Sequence, residues 1–274
     1  MTVAETDASE HALATYEPLA HFYDLFTRHD DYPRWCALLD DLLHRHRVPG
    51  KRLLDVACGT GRSTAAFRDL HYEVSGVDLS AAMIAEARSK AANRGISFQQ
   101  GDMRDLPGTG PGHDVVLCMD DAVNNLLDDA GLSSAFASAA RALRPGGLLV
   151  FDVNTLRTYR NWYAHDEVSH EEDTVFVWQG HCGPGHPEGA LARADLTVFA
   201  RDEATPLWRR FEAPHLQRHH PESRLRSALR TAGLDVLRVY GMRPGTADVD
   251  DTLDEERHHK AIVIARRPAD RLTA

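Results

Sequence analysis

The 274-residue chain predicts an α/β fold built on a parallel sheet, and three observations carry that expectation. Short apolar runs alternate with stretches of helical spacing, the pattern of βαβ units. The first run, Leu53-Leu-Asp-Val-Ala57, breaks into Gly59-Thr-Gly61, and a helix-like stretch follows at once. Glycines in such a turn supply positive φ and let a ligand approach the backbone. Asp78 then ends the second run, 19 positions past Gly59, where nucleotide-type units place an acid that holds a ribose.

The elements follow in order. Residues 1–15 are polar and are expected as a disordered tail. Between Asp31 and His46, Trp35, Leu38, Leu39, Leu42 and Leu43 fall at helical spacing, which assigns Trp35 to the core and His44 and His46 to a solvated helix end. Arg52–Ala57 reads as a buried strand, with a helix running to Leu70. Glu73–Val77 is a second strand, and Ser80 is placed to cap a helix carrying Met83, Ile84 and Ala87 on one face. Ile96–Phe98 and Asp114–Met119 are the third and fourth strands. Leu132, Phe136, Ala139 and Leu143 mark a helix stopped by Pro145-Gly-Gly147, and Leu148–Phe151 is the fifth strand. Residues 172–179, 190–201 and 207–217 are longer and partly alternating, which predicts an antiparallel insertion. Leu225, Ala228, Leu229 and Ala232 restore helical spacing, with Gly233 as a C′ cap. Val236–Tyr240 and Ala261–Ala265 are the last two strands, and the acidic run Asp248–Glu256 between them reads as a solvated loop.

Composition bounds the function. Hydrophobic residues are 43% and charged residues 26%, the proportions of a soluble globular protein. The formal charge of −10 opposes a nucleic-acid partner, which needs a basic surface. No apolar stretch approaches a membrane span, and the N-terminal segment lacks the pattern of a signal peptide. Four cysteines without a CxxC fit a reducing cytoplasm, with Cys58 and Cys118 as small core residues. His181-Cys182-Gly-Pro-Gly-His186 lacks a second ligand pair at zinc-site spacing, so no metal is expected. A single domain is expected over 16–274, with an N-terminal cap (16–50) and an inserted lid (154–218), as a monomer or homodimer.

The turn also narrows the ligand. Thr64 stands where a dinucleotide fingerprint needs its third glycine, and no Gly-Lys-Ser/Thr of a P-loop is present. Asp55, closing the first strand, would repel a pyrophosphate and suits a ligand carrying an ammonium group. Asp55-Val-Ala-Cys-Gly-Thr-Gly61, Gly76-Val-Asp78-Leu-Ser80, Gly101-Asp102-Met103-Arg-Asp-Leu106 and Leu143-Arg-Pro-Gly-Gly147 resemble, in order, the motifs of class I S-adenosylmethionine-dependent methyltransferases. The resemblance spans roughly residues 16–266. It implies a Rossmann-like sheet of seven strands in the order 3-2-1-4-5-7-6, the last antiparallel, with helices on both faces and S-adenosylmethionine (SAM) as cofactor. Carried over, Ala57, Gly59 and Gly61 line the methionine part, and Asp55 lies near its amino group. Asp78 accepts from the ribose hydroxyls, Leu79 and Met83 pack on adenine and ribose, and Asp102 and Met103 flank the adenine. Met119 and Asp120 face the methionine tail or the substrate.

The flanks resemble a small-molecule branch. Tyr16, Phe22-Tyr23-Asp24 and Tyr32-Pro-Arg-Trp35 are similar to its N-terminal cap, whose leading tyrosines, here Tyr16 and Tyr23, close over the cofactor. Asp120-Asp-Ala-Val-Asn124-Asn-Leu126 and Glu212-Ala-Pro-His215-Leu-Gln-Arg218 resemble further motifs of a bacterial branch, with Asn125 and Ala122 standing where that branch has Tyr and Ser. Leu54–Gly61 with Gly101-Asp-Met-Arg-Asp105 also resembles bacterial aminosugar N-methyltransferases. The implied reaction is methyl transfer to O or N of a small molecule, in secondary metabolism, by in-line displacement. A base is needed only where the nucleophile arrives protonated. His215 is the first candidate, with Glu212 and Arg218 alternating along its strand, whereas His219 and His220 read as surface or capping groups. Asn124, Trp162 and Trp178 are candidates for binding substrate. Two alternatives share these motifs: a SAM-binding protein without transfer, and a methyltransferase acting on a peptide or protein.

Overall fold

A computed structural model describes residues 8–91, 94–106, 112–171, 173–202 and 204–269. Three helices lead: α1 (Ala8–Leu19), α2 (Tyr23–Phe26) and α3 (Tyr32–Arg45). The central layer is built from β1 (Arg52–Val56), α4 (Arg62–Asp69), β2 (Glu73–Asp78), α5 (Ala81–Ala91), β3 (Ser97–Gln100), β4 (His113–Cys118), α6 (Asp129–Ala142) and β5 (Leu143–Asn154). An insertion follows as α7 (Leu156–Asn161), β6 (Asp166–Glu171), β7 (Thr174–Gly180), β8 (Leu191–Arg201) and β9 (Trp208–Arg218). The chain then returns as α8 (Glu222–Thr231), β10 (Asp235–Met242), β11 (Val249–Asp250) and β12 (Lys260–Arg266).

The main sheet runs β11-β10-β12-β5-β4-β1-β2-β3. β3, β2, β1, β4 and β5 are mutually parallel, and β12 lies antiparallel between β5 and β10. This is the expected order with one addition. The eighth strand, β11, pairs Asp250 and Val249 with Gly241 and Met242, inside the run expected as a solvated loop. That run is anchored elsewhere too: Glu255 accepts from the Leu156 amide at 2.8 Å.

Strand alternation sorts the core onto two faces. Leu54, Val56, Val116, Leu149, Phe151 and Val263 pack under α6 and α8, with Phe136, Leu225 and Leu229. Leu53, Val115, Leu117, Val150, Ile262 and Ile264 pack under α3 and α4, with Trp35, Leu39, Leu42 and Phe67. The predicted caps hold. Ser80 Oγ accepts from the Met83 amide at 3.0 Å, and Gly233 takes φ +75° after α8. Among the described residues no helix is long and apolar enough to cross a membrane.

Three expectations change. Residues 8–15, placed in the tail, are the first turns of α1, which lies along β9; Thr15 Oγ1 donates to the Pro214 carbonyl. A polar segment is helical here because a neighbouring sheet covers one of its faces, which its own sequence does not reveal. Residues 1–7 lie outside the described residues. The insertion has four strands, β6-β7-β8-β9, rather than three; β6, the polar edge strand DEVSHE, gives no apolar run to read. His219 and His220 are buried rather than on the surface. They lie where β9 crosses back to the main sheet, and their Nε2 atoms meet Glu255 Oε2 at 3.1 Å and the Leu126 carbonyl at 3.0 Å.

Candidate active site

The C-terminal ends of β1, β2 and β4 open into a cleft lined by apolar and polar side chains together. The Gly59-Thr-Gly61 turn forms its floor, and α1 roofs it through Ala8, Ser9, Ala12 and Tyr16. Gly59 has φ +53°, and its nearest neighbour in the direction of an added Cβ is a Tyr23 ring carbon at 3.9 Å. The glycine therefore supplies backbone conformation and an open approach together. Gly61 differs. With φ +82°, an added Cβ would meet Phe98 Cζ at 2.8 Å, so this glycine packs the start of α4 onto β3 and does not line the cleft.

Asp78 joins the cleft wall at the end of β2. Its carboxylate accepts from the Gly59 amide and the Ser80 amide, each at 2.8 Å, bracing the turn against the next helix. Burial raises its pKa to about 6, against the backbone donors that favour the charge. Leu79, Met83 and Met103 supply an apolar slot beside it. Asp102 lies across the slot, bound by Arg104 at 2.7 Å. Eleven of the expected cofactor residues line this volume: Tyr16, Tyr23, Ala57, Gly59, Asp78, Leu79, Met83, Asp102, Met103, Met119 and Asp120.

Asp55 does not. It alternates with Leu54 and Val56 and so lies on the α4 side of the sheet, where Ser63 Oγ and Thr64 Oγ1 each donate to Oδ2 at 2.6 Å. Burial raises its pKa to about 6. Thr64, noted only for replacing a glycine, is thus a ligand of Asp55, and the pair ties the turn from below.

The far end of the cleft is built around Asp120. Asp120 and Asp121 have φ +60° and +51°, a left-handed pair that costs energy outside glycine. Asp152 on β5 holds it: Oδ1 accepts from the Asp120 amide at 2.7 Å and Oδ2 from the Asp121 amide at 3.0 Å. Asp120 Oδ2 accepts from the Tyr32 hydroxyl at 2.9 Å and the Tyr23 hydroxyl at 3.1 Å. Lys260 Nζ reaches Asp121 Oδ1 at 2.5 Å, Asp152 Oδ2 at 2.9 Å and Asp120 Oδ1 at 3.4 Å. The sequence named Tyr32 only within the cap motif and gave Asp152 and Lys260 no role in the site. The available signal for Lys260 was a single charge opening an otherwise apolar strand.

The lid candidates fall outside the cleft. On β9, Ala213, His215 and Gln217 face inward, while Glu212 is exposed and pairs with Arg210 at 2.5 Å. The two-residue period of a strand puts Glu212 and Arg218 on the face opposite His215. His215 is buried between Tyr16 (6.0 Å between ring centroids) and Trp178 (5.1 Å), and burial lowers its pKa to about 4. It packs cap against lid. Trp178 belongs to that aromatic core, and Trp162 covers it at 5.5 Å. Asn124 is wholly buried: Nδ2 donates to the Arg218 carbonyl at 2.8 Å and Oδ1 accepts from the Asn154 amide at 2.9 Å. It splices the main sheet to the lid. His181 pairs with Asp195 at 2.7 Å, whereas His186 packs on Tyr159.

Comparison with known proteins agrees with this fold. The methyltransferase domain family matches residues 53–147. YqeM of Bacillus subtilis (strain 168), named only provisionally as a methyltransferase, is 30% identical over 86% of this chain and 91% of its own length. The dTDP-3-amino-3,4,6-trideoxy-alpha-D-glucopyranose N,N-dimethyltransferase of Streptomyces venezuelae is 30% identical over 81% and 92%. Among solved structures, a SAM-dependent methyltransferase from Clostridium acetobutylicum shares the fold at a TM-score of 0.76, with 22% identity, covering 93% of this chain and 99% of that one. The cleft fits the cofactor on its own terms, with a carboxylate for a diol, an apolar slot for a base and an open glycine turn beside them. The chain belongs to the methyltransferases, and it has the fold of a SAM-dependent member of them.

Proposed function

We propose that the protein methylates a nitrogen atom of a small-molecule amine. The observation that carries this reading is Asp120, a carboxylate held at the cleft's far end by two tyrosine hydroxyls, with no imidazole lining the cleft among the described residues. A carboxylate is a good partner for an ammonium and a weak base for an alcohol, so it favours an amine acceptor. Bound SAM supplies an already activated methyl group. What remains for the chain is to bring a nitrogen lone pair into line with it, and positioning of that kind is worth about 7–11 kcal/mol. Asp120 orients the amine by accepting from its N–H; the neutral nitrogen displaces SAH from the methyl group, and the methylated ammonium loses its proton to water after release, while Tyr16, Tyr23 and Tyr32 exclude water during transfer. The aminosugar specificity in the Streptomyces relative's name supports an amine acceptor, and the roof formed by α1 supports a small one.

The test is turnover on matched pairs of acceptors that differ only in an amino or a hydroxyl group at one carbon, including amino and neutral sugars. S-adenosylhomocysteine (SAH) formation is read by mass spectrometry. The proposal expects release of SAH and a gain of one methylene mass with the amine members. Transfer to the hydroxyl members alone would refute it.

A further inference from the structure

Lys260 enters the site from an unexpected direction. It opens β12, the antiparallel strand, and pairs with Asn154 across the end of β5. Its side chain is buried, and its ammonium lies among three carboxylates and 5.1 Å from the centre of the Trp35 ring. Burial alone would lower its pKa, but Asp121, Asp152 and Asp120 together push it well above the ordinary lysine value. Two of those carboxylates do not line the cleft. Asp152 grips the amides of the left-handed pair, and Asp121 is further held by Gln217 Nε2 at 2.6 Å. Lys260 is therefore the hub between the strap, Asp152, and the residue that faces the ligand, Asp120.

We infer that Lys260 is a positioning residue for Asp120: it holds the strained 120–121 turn closed through Asp152 and Asp121, so that the Asp120 carboxylate stays aimed into the cleft. The ammonium of a lysine is compact and can sit among three oxygens, which a planar guanidinium cannot match. Without it, the buried Asp152 and the half-buried Asp120 and Asp121 repel one another, and the left-handed pair loses what offsets its strain.

The inference rests on the proposed function, in which Asp120 holds the amine in line with the methyl group and so lies near the sulfonium charge of SAM, and its test needs no methyl acceptor. SAM and SAH differ by one methyl and one positive charge, so the ratio of their dissociation constants reports the negative field where that charge sits. Calorimetry would give this ratio for the wild type, Asp120→Asn, Lys260→Met and Lys260→Arg, with thermal melting to establish folding. Removing an aimed carboxylate should lower the preference for SAM about tenfold. If Lys260 positions Asp120, Lys260→Met lowers the preference to the Asp120→Asn level. If Lys260 is only a counter-charge, removing it makes the site more negative and raises the preference, so the sign of the change decides. Lys260→Arg covers the case in which Lys260→Met does not fold. Positioning predicts a lowered preference although the charge is kept, and a wild-type ratio would overturn the inference. An unchanged ratio in Asp120→Asn would remove Asp120 from the charged end and, with it, the role of Lys260.

Discussion

Asp78→Ala is the perturbation whose consequences the structure allows to be worked through. The carboxylate accepts from the Gly59 and Ser80 amides at 2.8 Å, and it lines the cleft, where we propose that it accepts from a ribose. Its pKa of about 6, against a reference of 3.8, means that ionised Asp78 costs about 3 kcal/mol at neutral pH in the free protein. Removing it relieves that cost but leaves two amides short of a partner, at about 1–3 kcal/mol each. The two effects oppose one another, so folding stability should change by no more than about 3 kcal/mol. Binding has no such offset. Two hydroxyls donating to a charged acceptor contribute about 3 kcal/mol together, so affinity for SAH should fall by about 10²-fold. Calorimetric titration with SAH, alongside urea unfolding, measures both quantities. A folded variant that binds SAH as the wild type does would refute the ribose assignment.

Other outcomes follow from the same geometry. A cofactor that donates hydrogen bonds to Asp78 binds its ionised form, so SAH affinity should rise with pH from 5 to about 6, flatten above, and lose that slope in Asp78→Ala. Stability of the free protein runs the other way. The folded-state pKa of about 6 exceeds the unfolded value near 3.8, so the native state holds the proton longer and this contribution to stability falls as pH rises through the 4–6 window; Asp55 behaves alike. Urea unfolding at pH 4.5 and 6.5 checks the sign. His215→Phe should keep turnover within a few-fold, because His215 packs between Tyr16 and Trp178 outside the cleft; a loss above 10²-fold in a folded variant would return it to the chemistry. Gly61→Ala should destabilise by about 2–4 kcal/mol from its positive φ and the clash with Phe98, and a denaturation shift below 1 kcal/mol would contradict that packing.

The floor and wall of the cleft were legible because they lie in one stretch of chain. Gly59, Asp78 and Asp102 each follow a strand end, so strand spacing and a turn signature place them without tertiary knowledge. The far end was not legible, because it is assembled across strands. Lys260 meets Asp120 and Asp152 from 140 and 108 residues away, and neither periodicity nor motif reports a contact of that range. Asp55 was misplaced because a motif names a residue but not the face of its strand, and alternation turns it under α4. The lid misled in the same way: Glu212, His215 and Arg218 look clustered in sequence, yet a strand sends them to opposite faces. Asn124 looked like a substrate contact, whereas its amide satisfies two buried backbone groups where sheet and lid meet. The extra strand β6 and the opening turns of α1 carry polar sequences, and only their neighbours in space explain their order.

A crystal structure with SAH bound tests the central claim most directly. In it the ribose hydroxyls should lie on the Asp78 carboxylate, the adenine between Leu79 and Met103, and the sulfur at the Met119–Asp120 end, within reach of the Tyr23–Asp120–Tyr32 group and with His215 away from it. A sulfur directed toward the lid beside His215, or a ribose that leaves Asp78 free, would contradict it.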